Sequence, residues 1–198
     1  MKFKRVILVM GTPCVGKTSV SNSLATELNA LHIDLGELVK REKLSSGVDK
    51  TRGTLIANQT KLSRRVREII EHQRMNRDII VDGHYATDII PSENVTKVFV
   101  LRRDPEELKH LMEARGFRGR KLWENLAAEI LDTCLFDAVK AVGLGKVCEI
   151  DVSGRRTKEI ISIIVSVLDG KKQCTVGIVD WLGKLEVANR LDEFLKEF

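Results

Sequence analysis

Apolar positions fall into two alternating patterns along the 198-residue chain. Val6 to Met10 is an unbroken apolar run ended by Gly11, which reads as a short strand buried on both faces. From Lys17 to Asn29 the spacing changes, with Val20, Leu24 and Leu28 at helical intervals. Leu31–Ile33, Ile79–Asp82, Lys97–Leu101 and Val147–Val152 read as four further strands. Helices are predicted between them. Asn58–Asn76 carries Leu62, Val66, Ile69 and Ile70 opposite a charged face. Asp104-Pro105-Glu106-Glu107 is a helix start: a capping acid, proline at the first position and acids near the positive end of the dipole. Leu122–Val142 and Thr157–Leu168 complete the set. Strands separated by helices pair in parallel through right-handed crossovers, so the pattern predicts a doubly wound α/β sheet. No repeat or low-complexity linker divides the chain, and one domain spanning residues 1–198 is expected.

Composition narrows the class. Hydrophobic residues make up 43% and charged residues 31%, a balance expected of a soluble globular chain. The most hydrophobic stretch, Ile160–Leu168, is far shorter than a membrane-crossing helix requires. The basic start followed by Val6–Met10 resembles a secretory signal, but its apolar run is too short and lacks a small-residue cleavage site. A cytoplasmic protein, with no membrane partner, is expected. Cys14, Cys134, Cys148 and Cys174 are widely spaced without a Cys-x-x-Cys pair, which points to reduced thiols rather than a disulfide framework or zinc site. The net charge of +5 suits phosphate ligands or RNA and decides neither.

The chemistry begins at Gly11-Thr12-Pro13-Cys14-Val15-Gly16-Lys17-Thr18, a full match to G-x-x-x-x-G-K-[ST]. Glycines let the backbone turn tightly and aim N–H groups at phosphate oxygens. Lys17 reaches the β- and γ-phosphates, Thr18 offers its hydroxyl to Mg²⁺, and the following helix turns its positive end to the anion. A chance match is expected in roughly one such chain in a hundred, and here the loop also sits between a strand and a helix. Asp82 closes the third strand, where an acid can hold Mg²⁺ through water; the other reading is a cap on the next loop. His84, two residues on, can orient or deprotonate an attacking water, or serve as an ordinary surface histidine. His32, His72 and His110 have no comparable setting. Glu113–Lys121 places four cations around two glycines, either a mobile flap over phosphates or a solvated helix-helix turn.

These features together, Gly-Thr-Pro in the loop, Asp82-x-His84, and Arg115-Gly116-Phe117 leading into Glu129-Ile130-Leu131, resemble the adenylate kinase isoenzyme 6 family over residues 5 to 168. The resemblance implies a P-loop NTPase fold with five parallel strands in the order 2-3-1-4-5. It also implies MgATP-dependent phosphorylation of AMP or another nucleoside monophosphate, ATP hydrolysis, and a role in small ribosomal subunit maturation. Carried onto this sequence, it implies ATP contacts at Gly11, Cys14, Val15, Gly16, Lys17, Thr18, Ser19 and Arg115. It implies metal contacts at Thr18 and Asp82, and catalytic roles for Lys17, Asp82, His84 and Arg115. An acceptor segment is expected at about 33–56, with Asp34, Gly36 and either Lys40 or Arg41 at the monophosphate. A lid is expected at about 114–124 and a helical extension at about 170–198. A small-subunit platform ribosomal protein and small-subunit rRNA are the implied partners, for which Lys61–Arg67, Arg102-Arg103 and Arg118–Lys121 are compatible basic clusters. A monomer or weak homo-oligomer is expected. A nucleotide-switch assembly factor with little kinase activity, or a P-loop kinase of another small molecule, would use the same loop. Cys14 departs from the family's usual second glycine, an awkward substitution if that position needs a positive φ.

Overall fold

The structure is a computed structural model describing residues 4–49 and 54–195. The expected acceptor segment lies outside the described residues at 50–53, and the expected extension does so at its last three positions. The chain runs β1 (Val6–Met10), α1 (Lys17–Leu28), β2 (Leu31–Asp34), α2 (Leu35–Arg41), β3 (Ser45–Asp49), β4 (Thr54–Ala57), α3 (Gln59–Gln73), β5 (Ile79–Asp82) and α4 (Ala86–Ile89). It continues with β6 (Lys97–Arg102), α5 (Pro105–Ala114), α6 (Gly119–Ile130), α7 (Thr133–Val142), β7 (Val147–Asp151), α8 (Thr157–Leu168), α9 (Trp181–Val187) and α10 (Leu191–Leu195).

The main sheet has five strands in the order β2-β5-β1-β6-β7, all paired in parallel. Counting only these strands along the chain, the order is 2-3-1-4-5, as expected. Strand periodicity splits the apolar runs between two cores. Ile7, Val9, Ile80, Phe99 and Leu101 face α1, α5, α6, α8 and the C-terminal helices. Val6, Leu8, Met10, Val81, Val98 and Val100 face α2, α3, α4 and α7. Covering both faces buries every residue of β1 and β5 and all of β6 after Lys97, which is why these strands read as nearly continuous apolar runs.

Four features depart from the sequence reading. The helix expected over 122–142 is two helices, α6 and α7, separated where Asp132 adopts φ 56°. An antiparallel hairpin, β3–β4, forms a separate two-stranded sheet over most of the latter half of the expected acceptor segment. Cys148 and Cys174 are joined by a disulfide, with Cα atoms 4.8 Å apart, instead of remaining as separate thiols. Arg102, expected in a surface basic cluster, is 1% exposed, because acidic side chains converge on it beneath the sheet's carboxyl edge. The extension packs on the core through Trp181, Leu185 and Phe194. No helix among the described residues is long and apolar enough to cross a membrane.

Candidate functional site

The Gly11–Thr18 loop joins β1 to α1, and its backbone takes the conformations that the glycines permit. Gly11 has φ +138°, and a Cβ there would lie 2.5 Å from the Leu101 carbonyl oxygen. Gly16 has φ +109° and caps α1 with no side-chain hydrogen bond, leaving the first backbone N–H groups of a twelve-residue helix directed at the loop. Cys14 sits at φ 72°, in the left-handed region. A non-glycine residue pays about 1–2 kcal/mol there, so the awkwardness expected of this cysteine is real. Its side chain is buried in the core on the α1 side of the sheet.

Lys17 crosses the loop, its Nζ donating to the carbonyls of Gly11 at 2.7 Å and Thr12 at 2.9 Å. Burial pushes its pKa below the ordinary lysine value, against the opposing field of Asp82 among other groups. An arriving phosphate would favour the charged form.

Parallel register sets two acids side by side. Asp34 ends β2, Asp82 ends β5, and the two residues are paired across the strands. Thr18 Oγ1 donates to Asp34 Oδ2 at 3.3 Å. Asp34 also caps α2 by accepting from the Glu37 N–H at 2.9 Å, so its side chain is held from two directions. Asp82 is buried and lies 3.0 Å from His32 Nε2, while His32 Nδ1 lies 2.8 Å from Asn22 Oδ1. This chain from α1 through β2 to β5 fixes the orientation of the Asp82 carboxylate. His32 was missed in the sequence; its signal was alternation, which puts it two residues before Asp34 on one strand face. One hydroxyl and two carboxylates are hard oxygen donors, the set that suits Mg²⁺ alongside phosphate oxygens.

A cavity of about 530 Å³ gathers Lys17, Thr18, Asp34, Gly36, Lys40, Asp82 and His84. Of the two alternatives for the acceptor, Lys40 borders the cavity and Arg41 does not. Lys40 Nζ is hydrogen-bonded to Glu37 Oε1 at 2.8 Å, an exposed pair of little energetic consequence. His84 opens onto this space. Loss of water around the ring, and then the charge on Lys17, push its pKa down to about 4, leaving a neutral imidazole near pH 7. Burial also raises the Tyr85 pKa, with the charge of Asp34 adding to it.

A second cavity of about 400 Å³ lies between the loop and the expected lid, bordered by Pro13, Leu55, His84, Tyr85, Phe117 and Lys121. The segment expected to form the lid begins with a tight turn: Phe117 N–H donates to the Met112 carbonyl at 3.0 Å, and α6 begins at Gly119. Arg118 donates to the Glu113 and Phe117 carbonyls. Arg115 is exposed at the end of α5 and borders neither cavity. Val15 meets Arg103, whose Nε lies 3.4 Å from its carbonyl oxygen, and Ser19 is exposed on α1.

A family model described as "AAA domain" matches residues 7–132. A Methanocaldococcus jannaschii protein named "Putative adenylate kinase" is 36% identical over 178 residues, spanning 90% of this chain and 93% of its own. A Methanothermobacter thermautotrophicus protein of the same name is 35% identical, spanning 91% and 99%. Among solved structures, a Janibacter sugar kinase matches with TM-score 0.58 at 17% identity, covering 84% of this chain and 95% of its own. A Candida albicans thymidylate kinase matches with TM-score 0.55 at 15% identity, covering 85% and 92%. At those identities the two structures speak for the fold.

Proposed function

The chain belongs to the adenylate-kinase-like family of P-loop phosphotransferases, and from that premise we propose that it transfers the γ-phosphoryl group of MgATP to a nucleoside monophosphate, AMP foremost. The observation that carries this reading is the single cavity shared by Lys17, Thr18 and Asp82 with Asp34, Gly36 and Lys40. Donor and acceptor phosphates need to meet in one space, with cations beside the charge that develops in transfer. In this reading an acceptor phosphate oxygen attacks the γ-phosphorus as the bond to the β–γ bridging oxygen breaks, and ADP leaves with the electron pair. Lys17 stabilises the transferring oxygens and Lys40 orients the acceptor. Gly11, Cys14, Val15, Gly16 and Ser19 supply the loop and helix terminus around the triphosphate. Arg115 reaches the site only if the α5–α6 turn closes. Thr18 and Asp82 would hold Mg²⁺, which supplies charge neutralisation on the phosphates when bound, and Asp34 is a third oxygen donor toward it.

ATP hydrolysis is a second activity favoured by a specific observation: a neutral His84 opens onto the same cavity, next to Lys17. A neutral imidazole can accept a proton from water or hold water by hydrogen bonding. A cellular role in small ribosomal subunit maturation, with a platform ribosomal protein and rRNA as partners, rests on the sequence resemblance. Exposed Lys61, Arg64 and Arg67 along α3 are compatible with it; the buried Arg102 is not available for it.

Measuring ATP consumption and diphosphate formation with and without AMP, CMP, GMP and UMP tests the proposal. Stoichiometric diphosphate from at least one monophosphate is expected. If every monophosphate is left unphosphorylated while ATP is hydrolysed, the kinase reading fails and the nucleotide-switch reading replaces it.

A further inference from the structure

Behind the P-loop lies a buried polar cluster that the phosphoryl chemistry does not touch directly. Glu129, on α6, is 1% exposed. Its Oε2 accepts from Thr12 Oγ1 at 2.5 Å, the Thr12 side chain being equally buried. Its Oε1 accepts from Arg102 Nε at 2.9 Å, the Arg103 N–H at 3.1 Å and Trp181 Nε1 at 3.2 Å. Arg102 continues to Glu149 Oε1 at 2.6 Å and to Asp132. Glu149 Oε2 in turn accepts from the Ile178 N–H at 2.8 Å. The network therefore begins in the P-loop and ends twice in the C-terminal extension.

Charge arithmetic explains the extra donors. One guanidinium faces two fully buried carboxylates, so neutral donors have to satisfy the remaining lone pairs. Burial works against the charge on Arg102, yet the carboxylates of Glu129 and Asp132 hold its pKa raised. The donors are not equivalent. Oε1 of Glu129 keeps two partners if Trp181 is removed, whereas Thr12 is the hydroxyl on Oε2. Thr12 also faces the other way, because its carbonyl accepts from Lys17 Nζ at 2.9 Å. One residue thus links the buried acid to the lysine at the phosphate position.

We propose that Glu129 is a positioning residue that fixes the P-loop through the Thr12 hydroxyl, and that Trp181 of the C-terminal extension tunes this hold. The inference rests on the triphosphate-binding reading of the loop. Moving the Thr12 carbonyl moves the Lys17 ammonium, and a small misplacement in a preorganised site costs rate more than ground-state affinity.

Thr12→Ser, which keeps the hydroxyl, should retain kcat within about twofold. Thr12→Val, which has the same shape without the hydroxyl, should lower kcat by about 10- to 100-fold with a smaller change in KM for ATP. Trp181→Phe should lower kcat by about two- to fivefold. A second measurement covers the case in which Thr12→Val does not fold. In a Trp123→Phe background, Trp181 is the remaining tryptophan, and its emission should shift or change in intensity when MgADP binds. Binding is followed in parallel by calorimetry. Calorimetric binding with unchanged Trp181 emission, or Thr12→Val with the kcat of Thr12→Ser, overturns the inference alone. No calorimetric binding of MgADP overturns the triphosphate reading and the inference with it.

Discussion

The two faces of the P-loop are built on opposite principles. On the cleft side, Lys17, Thr18, Asp34 and His84 line open space, and the lysine is held by the loop carbonyls of Gly11 and Thr12. On the inner side, Thr12, Arg102, Glu129 and Glu149 are buried and their side chains are hydrogen-bonded to one another or to backbone groups. The cleft face keeps binding capacity in reserve for a phosphate; the inner face has spent its capacity on holding shape. The contrast shows how a loop can be rigid without being self-satisfied. Rigidity comes from behind, and the groups that face the cleft are the ones still open to it.

Substitutions on the two faces should separate stability from chemistry. The largest effect is expected for Arg102→Met, which strands two buried carboxylates and should cost about 3–5 kcal/mol of folding free energy. In a chain of this size that is a fall of roughly 10 °C in melting temperature by calorimetry. Lys17→Ala should do the reverse, lowering phosphoryl transfer by about 10²- to 10³-fold while the melting temperature stays near wild type. The contrast between the faces collapses if Lys17→Ala unfolds the protein and Arg102→Met does not.

Next in size, His84→Ala should reduce ATP hydrolysis by about 10²-fold with little change in ATP affinity; equal hydrolysis by mutant and wild type sinks the role. The folded pKa of about 4 lies below the ordinary histidine value of 6.5, so the ring loses its neutral form only as the pH falls toward 4. His84-dependent hydrolysis should therefore persist from pH 7 to about pH 5 and decline below that, whereas an inflection near 6.5 would show an unburied ring. Stability linked to this group follows the same sign: complete above about pH 6.5 and diminishing as the pH falls through the folded pKa.

The smallest effect isolates the strain at Cys14. Cys14→Gly and Cys14→Ala both remove the buried sulfur, but only glycine relieves the left-handed conformation. The glycine variant should be the more stable by about 1 kcal/mol in denaturant unfolding. An alanine variant of equal or greater stability would show that the loop relaxes away from a positive φ.

Much of this molecule could be read from its sequence, and what could not has physical causes. The five main strands announce themselves because burial on both faces demands continuous apolar residues. The P-loop and the Asp104 cap are legible because glycine, proline and capping acids carry their geometry locally. Ser45–Asp49 gives no such sign: its serines and glycine have weak strand preference, and it pairs only through its neighbour β4. The break between α6 and α7 falls at Leu131-Asp132-Thr133, with neither glycine nor proline to mark it. Glu129 was readable only as part of a family pattern. Yet Leu126, Glu129 and Ile130 share one helical face, so an acid on an apolar stripe was the available hint of a buried network. The Cys148–Cys174 pairing joins a strand to a segment 26 residues on, a proximity created by the fold.

The β3–β4 hairpin has a mechanical consequence. Its strands hydrogen-bond to each other in a sheet of their own, and its base is tied where the Asn58 N–H meets the Leu44 carbonyl at 2.8 Å. Swinging it about that tie would break no rung of the main sheet. Leu55, near the start of β4, borders both cavities together with His84 and Tyr85, and of these three it is the one carried by the hairpin. A swing of the hairpin would therefore shift one part of the wall that the two cavities have in common, leaving His84 and Tyr85 in place.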